Sequence, residues 1–299
     1  MLRRLVVNAD DLGLTVGVND GIFDAHELGI LTSASLFANA PATADAVERL
    51  RDHPSLGAGV HLTLVDGTPT LPPERVPTLI ADAGRFHQSW TPFILACLRG
   101  RVSLDEVERE LTAQIDRLWS RGIRPTHVDA HKHVHAFPPI FAIVARLARR
   151  FGIPSVRVPH ERWSPVYGDE GQRRSARRQA LLNAAMLPWA RRDRRVADAF
   201  GLQSPQFTGR IHTGVFSLES ILRTLRQLRP GVTELMVHPG YVDADLRKVP
   251  TRLVTSRAEE VELLSSHLVQ RVVMDEAIEL IRHDLTPSRS LIRSLRHAS

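Results

Sequence analysis

The aspartates and histidines that could carry chemistry fall in four short segments of this chain. Asp10 and Asp11 lie in NADDLG, His61 lies in GVHLTL, and His238 lies in MVHPGY. The fourth segment, residues 127–135, reads HVDAHKHVH and holds four histidines and one aspartate. Carboxylate oxygens and neutral imidazole nitrogens are common ligands of divalent metal ions. These residue types predict a site for metal-assisted chemistry.

The histidine-rich segment is the least ordinary of the four. Its polar residues occupy alternate positions, and alternate side chains of an extended chain share one face. So many polar groups on one face would be costly in an apolar core, which favours a functional role. Asp129 suits the orientation of an imidazole through its second ring nitrogen. The alternating residues are His127, Asp129, His131, His133 and His135.

The other three segments are weak indications of a site by themselves and stronger ones beside the histidine-rich segment. Because adjacent residues leaving a strand point in different directions, Asp10 or Asp11 can bind a metal while its neighbour faces substrate. Capping of the next helix is the alternative role for one of them. His61 lies in an apolar strand, where a lone histidine would be a hydrogen-bonded core residue. The Pro-Gly pair after His238 predicts a sharp turn that would hold its imidazole at a strand end.

Strand and helix patterns alternate along most of the chain, which predicts an α/β fold with a mostly parallel sheet or barrel. In such folds catalytic residues lie where strands end, and all four polar segments fall at such positions. The predicted strands are 2–8, 31–37, 57–64, 126–130, 153–158 and 233–237. The predicted helices are 16–28, 42–51, 103–121, 138–150, 218–228, 257–267 and 275–283. Ser103 and Glu106 form a capping-box pattern for the third helix.

The remaining features narrow the class of protein. We expect one domain over residues 1–299, with a basic insertion at about 160–200 and a loose tail from about 286. The single cysteine, Cys97, excludes a disulfide framework, and we assign it to the core. The zincin helix, nucleophile elbow, P-loop and dinucleotide-binding glycine motifs are all missing from the sequence. The N-terminus does not resemble a signal peptide and the sequence lacks a long apolar run, so a cytoplasmic protein is expected.

Positive charge is concentrated in one region of the chain. Residues 146–195 hold thirteen arginines against four acidic residues. No nucleic-acid-binding motif accompanies them, so nucleic acid is not an expected partner. Within Arg177–Arg195 an apolar centre is flanked by arginines, which is typical of peripheral contact with an anionic membrane surface. A core helix or a homodimer contact is the alternative, and Pro188 is expected to bend or end the helix.

Taken together, the four segments resemble those of the YdjC-like carbohydrate deacetylases, in the same order and over residues 8–241. GTPTLPPERVPTLI, DAHKHVH and VRVP further resemble the hopanoid-biosynthesis-associated members of that family. The resemblance implies an irregular (β/α) barrel like those of polysaccharide deacetylases and glycoside hydrolases. It also implies Asp11, His61 and His131 as metal ligands, Asp10 as catalytic base and His238 as general acid. The other members of the cluster would orient these groups or contact substrate, namely His127, Asp129, His133 and His135.

The implied activity is metal-dependent hydrolysis of the acetyl group from an N-acetylated sugar. The substrate implied for the closest resemblance is an N-acetylglucosaminyl hopanoid lipid, at the inner membrane surface. One divalent ion is expected, magnesium or zinc, with cobalt and nickel also compatible with two imidazoles and a carboxylate. A metal-dependent phosphoesterase is the second hypothesis, in which His133 and His135 would supply a second metal site. A catalytically inactive protein that binds a glycan or glycolipid is the third.

Overall fold

The computed structural model describes residues 2–161 and 170–288, and all structural statements below concern these residues. Nine strands are present: β1 Arg3–Leu12, β2 Ser33–Phe37, β3 Gly57–Leu62, β4 Ile80–Asp82, β5 Arg85–Phe86, β6 Val128–Ala130, β7 Gln206–Thr208, β8 Gly231–Val237 and β9 Ile278–Leu280. Ten α-helices accompany them: α1 Val16–Glu27, α2 Thr43–Asp52, α3 Trp90–Leu98, α4 Leu104–Ser120, α5 Pro138–Arg150, α6 Glu170–Ala185, α7 Leu187–Ala199, α8 Leu218–Arg226, α9 Thr255–Ser265 and α10 His267–Asp275.

Seven of these strands form one parallel sheet around which the helices pack. Its order is β6-β3-β2-β1-β8-β7, and β9 also pairs with β1. Single bridges at Ser155, Val156 and Glu161 connect the chain between the two outer strands, β6 and β7. The sheet therefore curls toward closure. This mixed α/β half-barrel confirms the fold class predicted from the sequence.

The central strand, β1, has neighbours from both ends of the chain. One edge pairs with β8 over Arg3–Ala9, while the other pairs with β9 near Arg3–Leu5 and with β2 from Asn8 onward. Its residues from Leu5 to Leu12 are all buried. A strand covered on both faces reads as a continuous apolar run, as LVVNA does here. The buried Asn8, Asp10 and Asp11 therefore lie within the sheet and do not follow it.

Helix caps agree with the sequence in part. Ser103 caps α4 by accepting a hydrogen bond from the Glu106 backbone N–H, as predicted. The Glu106 carboxylate accepts hydrogen bonds from the backbone N–H and hydroxyl of Thr78, so the predicted reciprocal box is not formed. Pro188 lies in the first turn of α7, and α6 ends at Ala185. The expectation that this proline interrupts the helix is therefore confirmed.

Three sequence-based expectations are wrong. Residues 275–283 were expected to be helical, but Ala277 has a φ of 47° and β9 follows it, paired with β1. The predicted strand 153–158 forms only single bridges. The extended segment predicted through residue 135 stops at Ala130, because Lys132 and His133 have left-handed φ angles of 51° and 55°. Helix α3, the β4–β5 hairpin and the edge strand β7 were not predicted.

Two expectations concern the tail and the membrane. Ser288 donates its backbone N–H to the Leu280 carbonyl, and Pro287 bridges to Ile281, so the chain is held up to residue 288. The remainder of the predicted loose tail lies outside the described residues. Among the described residues, no helix has the length and apolar character needed to cross a membrane.

Candidate metal and catalytic site

Three of the predicted metal ligands come together at the carboxyl ends of neighbouring strands. Asp11 lies in β1, His61 lies in β3, and His131 follows β6. The Asp11 Oδ1 atom lies 3.3 Å from His131 Nδ1 and 3.6 Å from His61 Nε2. The ligand atoms of the three residues all lie within 4.8 Å of one another. Side chains separated by 50 to 120 positions in sequence thus converge on one point.

Local backbone conformation places two of these side chains. Asp11 has a φ of 72°, in the left-handed region, and the pairing of β1 with β2 shifts register between Ala9 and Leu12. This irregularity lets Asp10 and Asp11 meet different partners. At the end of β6, the left-handed residues Lys132 and His133 turn the chain immediately after His131. Non-glycine residues in this region are uncommon and cluster at functional sites.

Asp129 orients His61, as the alternation pattern predicted. The His61 Nδ1 atom lies 2.7 Å from Asp129 Oδ1, which leaves Nε2 facing Asp11. Burial alone would lower the pKa of His61, but the carboxylates of Asp129 and Asp11 outweigh it and raise the pKa to about 10. A site that holds a proton this tightly presents strong negative potential. That potential also favours a bound metal cation.

Arg157 is the buried centre of the site's charge network. Its guanidinium donates to both oxygens of Asp10 at 2.6 and 2.7 Å, and to Glu234 at 2.8 Å. It also lies 2.7 Å from Asp129 Oδ2. The side chain is fully buried, as are Asp129 and Glu234. One guanidinium group therefore contacts three carboxylates and fixes their relative positions.

Asp10 lies beside the three-ligand cluster and is not part of it. In addition to Arg157, it accepts a hydrogen bond from the Asn8 side-chain amide at 3.1 Å. Burial raises the pKa of Asp10, although the adjacent Arg157 charge favours the ionised form. The carboxylate is thus held in one orientation by two residues. This arrangement fits a positioned proton acceptor.

His238 lies at the end of β8, opposite the cluster. The side chain is buried, and its backbone N–H donates to the Glu260 carboxylate at 2.5 Å. Burial lowers the pKa of His238 to about 3, against the opposing charge of Asp11. Nearby, Arg257 donates to Asp11 Oδ2 at 2.5 Å, which leaves Oδ1 facing the two imidazoles. His238 is therefore neutral in this state of the protein.

The remaining predicted histidines do not join the metal cluster. His127 contacts Ser35, which in turn donates to Asp129, and its ring stacks on His283 at 3.9 Å between centroids. His135 lies 2.9 Å from the Arg157 carbonyl through Nε2, so it supports the backbone of that arginine. His133 lines the site cavity. Within the described residues neither His133 nor His135 belongs to a three-ligand group.

A cavity of about 430 Å³ opens over the site. Its lining includes Asp10, Asp11, His61, His131 and His238. Its wall carries cationic side chains from several elements, and its rim is apolar near Val249 and Leu253. The cationic side chains are Lys132, Arg210, Arg252 and Arg257. A small polar substrate group can therefore reach the cluster from one side.

Sequence reasoning missed several residues of this network. Arg157 carried a signal, since a charge inside the predicted apolar strand 153–158 needs a buried partner. Asp66 also carried one, because it follows the third strand; its Oδ2 atom lies 3.7 Å from His131 Nε2 and 2.6 Å from Lys132 Nζ. Arg257 and Glu260 lie in helix α9, whose sequence is rich in charged residues and does not mark these two. Only the fold reveals that these two face the site.

The donor set fits a divalent metal ion. One carboxylate and two imidazoles, each imidazole with a carboxylate against its second nitrogen, form a common first and second coordination shell. A second group of Asp10, His61 and Asp129 also lies close together, but it shares His61, and Arg157 contacts both of its aspartates. The cluster of Asp11, His61 and His131 is therefore the better candidate.

The chain is similar in sequence to one family of known proteins. The model of the family described as YdjC-like protein matches residues 4–275. A carbohydrate deacetylase of Geobacillus stearothermophilus is 33% identical over 284 residues, which are 95% of this chain and 98% of that protein. One of Brevibacillus brevis is 31% identical over 280 residues, which are 93% of this chain and 97% of that protein.

A solved structure extends the similarity to three dimensions. The crystal structure of an Enterococcus faecalis protein, named for cellobiose-phosphate cleavage, aligns with a TM-score of 0.76 at 27% identity. The alignment covers 95% of this chain and 98% of that one. The predicted family is thus confirmed by a match over residues 4–275, which include Asp11, His61, His131 and His238. This chain belongs to the YdjC-like family.

Proposed function

We propose that this chain is a carbohydrate deacetylase that hydrolyses the N-acetyl group of an amino sugar with the help of one divalent metal ion. The cluster of Asp11, His61 and His131 carries the proposal, because it opens into a cavity beside the two proton carriers Asp10 and His238. The names of the Geobacillus and Brevibacillus relatives support the deacetylase activity. The metal requirement is supported by the donor set.

The residues divide the work of amide hydrolysis among them. An ion held by Asp11, His61 and His131 would supply polarisation of the acetyl carbonyl and acidification of a water molecule. Asp10 accepts the proton of the attacking water, and Arg157 and Asn8 hold its carboxylate in place. General base catalysis of this kind contributes about 10²–10⁴-fold.

His238 is proposed to protonate the departing sugar amine. An amine leaves poorly as an anion, so a proton must reach the nitrogen as the bond to the acetyl carbon breaks. Because burial keeps His238 neutral in the free protein, it must first take up a proton from solvent during turnover, and Asp10 returns the proton of the water molecule to solvent afterwards. Glu260 fixes the backbone at this position, so the imidazole is held at the cavity wall.

For the substrate, we propose an N-acetylglucosaminyl hopanoid lipid. A second cavity of about 610 Å³ adjoins the site cavity and shares Leu14, Phe37, Asp66, Val249 and Pro250 with it. Its apolar lining residues could accept a rigid apolar body attached to the sugar, and charged side chains border the same space, namely Asp66, Arg85, Asp245 and Lys248. Such a substrate would place the enzyme in the cytoplasm at the inner membrane surface.

The activity can be tested directly with the purified protein. It is incubated with N-acetylglucosamine oligosaccharides and with N-acetylglucosaminyl lipids, and mass spectrometry follows the loss of one acetyl group. We expect deacetylation that stops with a chelator and returns with a divalent metal. Release of phosphate from phosphate esters without any acetyl loss would instead support the phosphoesterase hypothesis. Sugar binding without either reaction would support an inactive binding protein.

The metal ligands are tested with matched histidine variants. His131→Ala should remove stoichiometric metal and activity together, because it deletes one of three ligands. His267→Ala, at an exposed position in α10, is the control and should keep both. Full metal occupancy in His131→Ala would overturn the ligand assignment.

A further inference from the structure

Helix α3 presents an unusually apolar surface to solvent. Its sequence, WTPFILACL, contains no charged residue. Trp90 is 40% exposed, Leu95 is 43% exposed and Leu98 is 67% exposed, whereas Phe93 and Ile94 are buried. Large exposed apolar side chains on one short helix are typical of a surface that meets another apolar phase.

Helix α6 presents a second apolar surface. Leu181 is 75% exposed and Leu182 is 48% exposed. On the same helix, Asn183 is buried, and Gln179 lines the site cavity. One side of α6 thus borders the site, while the two leucines face outward.

Helix α3 lies next to the junction between α6 and α7, beside the site. Trp90 and Ile94 of α3, together with Met186 and Trp189 of the α6–α7 junction, surround a small cavity of about 30 Å³. Lys132, His133 and Arg210 line both this cavity and the 430 Å³ site cavity. The exposed apolar side chains therefore belong to elements that flank the entrance to the reaction centre.

Arginines predominate around both helices, with Glu170 in the first turn of α6 and Asp82, Asp105 and Asp193 at the borders of the two arginine-rich stretches. Residues 83–104 contain three arginines and no acidic residue, and residues 171–192 contain six arginines and no acidic residue. All nine guanidinium groups belong to exposed residues: Arg85, Arg99, Arg101, Arg173, Arg174, Arg177, Arg178, Arg191 and Arg192. Apolar side chains bordered by arginine, with tryptophans nearby, match the chemistry of an anionic lipid surface.

We propose that α3 and α6 together form a docking surface for an anionic lipid bilayer. Trp90, Leu95 and Leu98 would enter the interface beside Leu181 and Leu182, with the arginines at the headgroups. The surface extends beyond the segment Arg177–Arg195 that the sequence suggested, because α3 supplies half of it. This inference deepens the proposed function, since it brings the site to a lipid-borne substrate, but binding can be measured without catalysis.

Vesicle co-sedimentation tests this surface. The full chain is mixed with vesicles of phosphatidylcholine alone or with phosphatidylglycerol, at low and high salt. We expect binding only to the anionic vesicles, and weaker binding at high salt. Each arginine near an anionic surface contributes about fivefold to partitioning, so Arg177→Ser/Arg178→Ser should weaken binding about tenfold or more. Leu95→Ser/Leu98→Ser, in the other helix, should weaken it by a similar factor.

Matched controls lie elsewhere on the surface. Leu268→Ser and Met274→Ser remove exposed apolar side chains from α10, and Arg51→Ser/Arg229→Ser removes two exposed arginines. None of these should change vesicle binding. Deacetylation of a free N-acetyl sugar should be unchanged in all the surface variants, so failure of docking and failure of the proposed activity can be told apart.

Three outcomes would overturn the proposal. The wild-type chain could remain in the supernatant with anionic vesicles at low salt. The control variants could weaken binding as much as the α3 and α6 variants. Sedimentation velocity could show that Leu95→Ser/Leu98→Ser converts a dimer to a monomer while vesicle binding persists, which would identify α3 as a contact between two copies of the chain.

Discussion

Asp10 and Asp11 are adjacent in sequence, yet each has its own arginine and its own place in the site. Asp10 pairs with Arg157, whereas Asp11 pairs with Arg257 through one oxygen and faces the imidazoles with the other. The sequence argument allowed one of the two to bind metal and the other to meet substrate. The structure gives this division a cause, namely the left-handed φ of Asp11.

If Asp10 is the base, its replacement should lower turnover without changing metal binding. Asp10→Asn keeps the shape of the side chain and removes the proton acceptor, so turnover should fall about 10²–10⁴-fold. Metal content should stay close to that of the wild type, because Asp10 is not assigned as a ligand. Activity is measured by acetate release and metal by elemental analysis. The exposed Asp82→Asn is the control, and wild-type turnover in Asp10→Asn would refute the assignment.

The site could be predicted from the sequence only where its residues are unusual for their position. Histidines and aspartates at strand ends stand out against an apolar background, and the four polar segments were found in this way, whereas the choice of Asp11, His61 and His131 as ligands came from the family resemblance. Arg257 lies in α9, where an arginine is unremarkable. Its burial and its contact with Asp11 follow from the packing of α9 against α1, which no local pattern encodes.

Strand β3 shows how an element is fitted to its neighbour by a glycine. A Cβ atom on Gly59 would lie 2.3 Å from the ring of His127, and this ring contacts Ser35, which donates to Asp129. The absence of a side chain at Gly59 therefore leaves space for the His127 ring, which supports Asp129 through Ser35.

Replacement of this glycine should disturb both stability and activity. Gly59→Ala forces the His127 ring to move, and such overpacking costs about 1–3 kcal/mol. Gly67→Ala is the control, because its Cβ would lie 3.8 Å from the nearest atom. Denaturant unfolding measures the free energy, and deacetylation reports the loss of support for Asp129. Equal unfolding midpoints for the two variants would contradict the steric argument.

Helix α7 contains a carboxyl group without a hydrogen-bond partner. Neither oxygen of Asp193 has one in the structure, the side chain is 1% exposed, and the nearest cation, Arg192, lies 3.8 Å away. Burial raises the pKa of Asp193 to about 7. An unfolded aspartate titrates near pH 4, so the folded state holds the proton more tightly.

This difference predicts a pH-dependent loss of stability. The tighter proton binding by folded Asp193 stabilises the folded state fully below about pH 4. This stabilisation is lost as the pH rises from about 4 to about 7. Asp193→Asn should therefore become more stable than the wild type as the pH rises through this range, by about 1–3 kcal/mol above pH 7. Unfolding midpoints at pH 5 and 8 measure it. The exposed Asp198→Asn, in the same helix, should show no such trend.

Element boundaries were predictable where the pattern was local. Outside residues 80–98, the strand–helix alternation up to residue 150 follows from apolar runs and caps. By contrast, residues 275–283 have helical spacing, but Ile278 and Leu280 are captured by the free edge of β1. Long-range pairing overrides local propensity there, because the apolar residues gain burial in the sheet.

At the scale of the molecule, the last described strand, β9, pairs with the first part of β1 and completes the sheet there. Ending the chain after Asp275 would remove β9 and the stack of His283 on His127. The buried Ile278 and Leu280 each contribute about 1.5–3 kcal/mol. We expect the truncated chain to lose at least about 3 kcal/mol against a reference chain ending after Ser288. Unchanged thermal and denaturant unfolding midpoints would contradict this role of β9.

The central position of β1 has a consequence for synthesis. Arg157, the partner of Asp10, is synthesised 147 residues after it, and Arg257, the partner of Asp11, is synthesised 246 residues after it. On the ribosome β1 emerges long before its partners β8 and β9. The nascent chain must therefore carry an unpaired strand edge and uncompensated acidic groups through most of translation. Folding of the sheet therefore depends on the emergence of β8 and β9, and ribosome-associated chaperones have a long time in which to bind the chain before then.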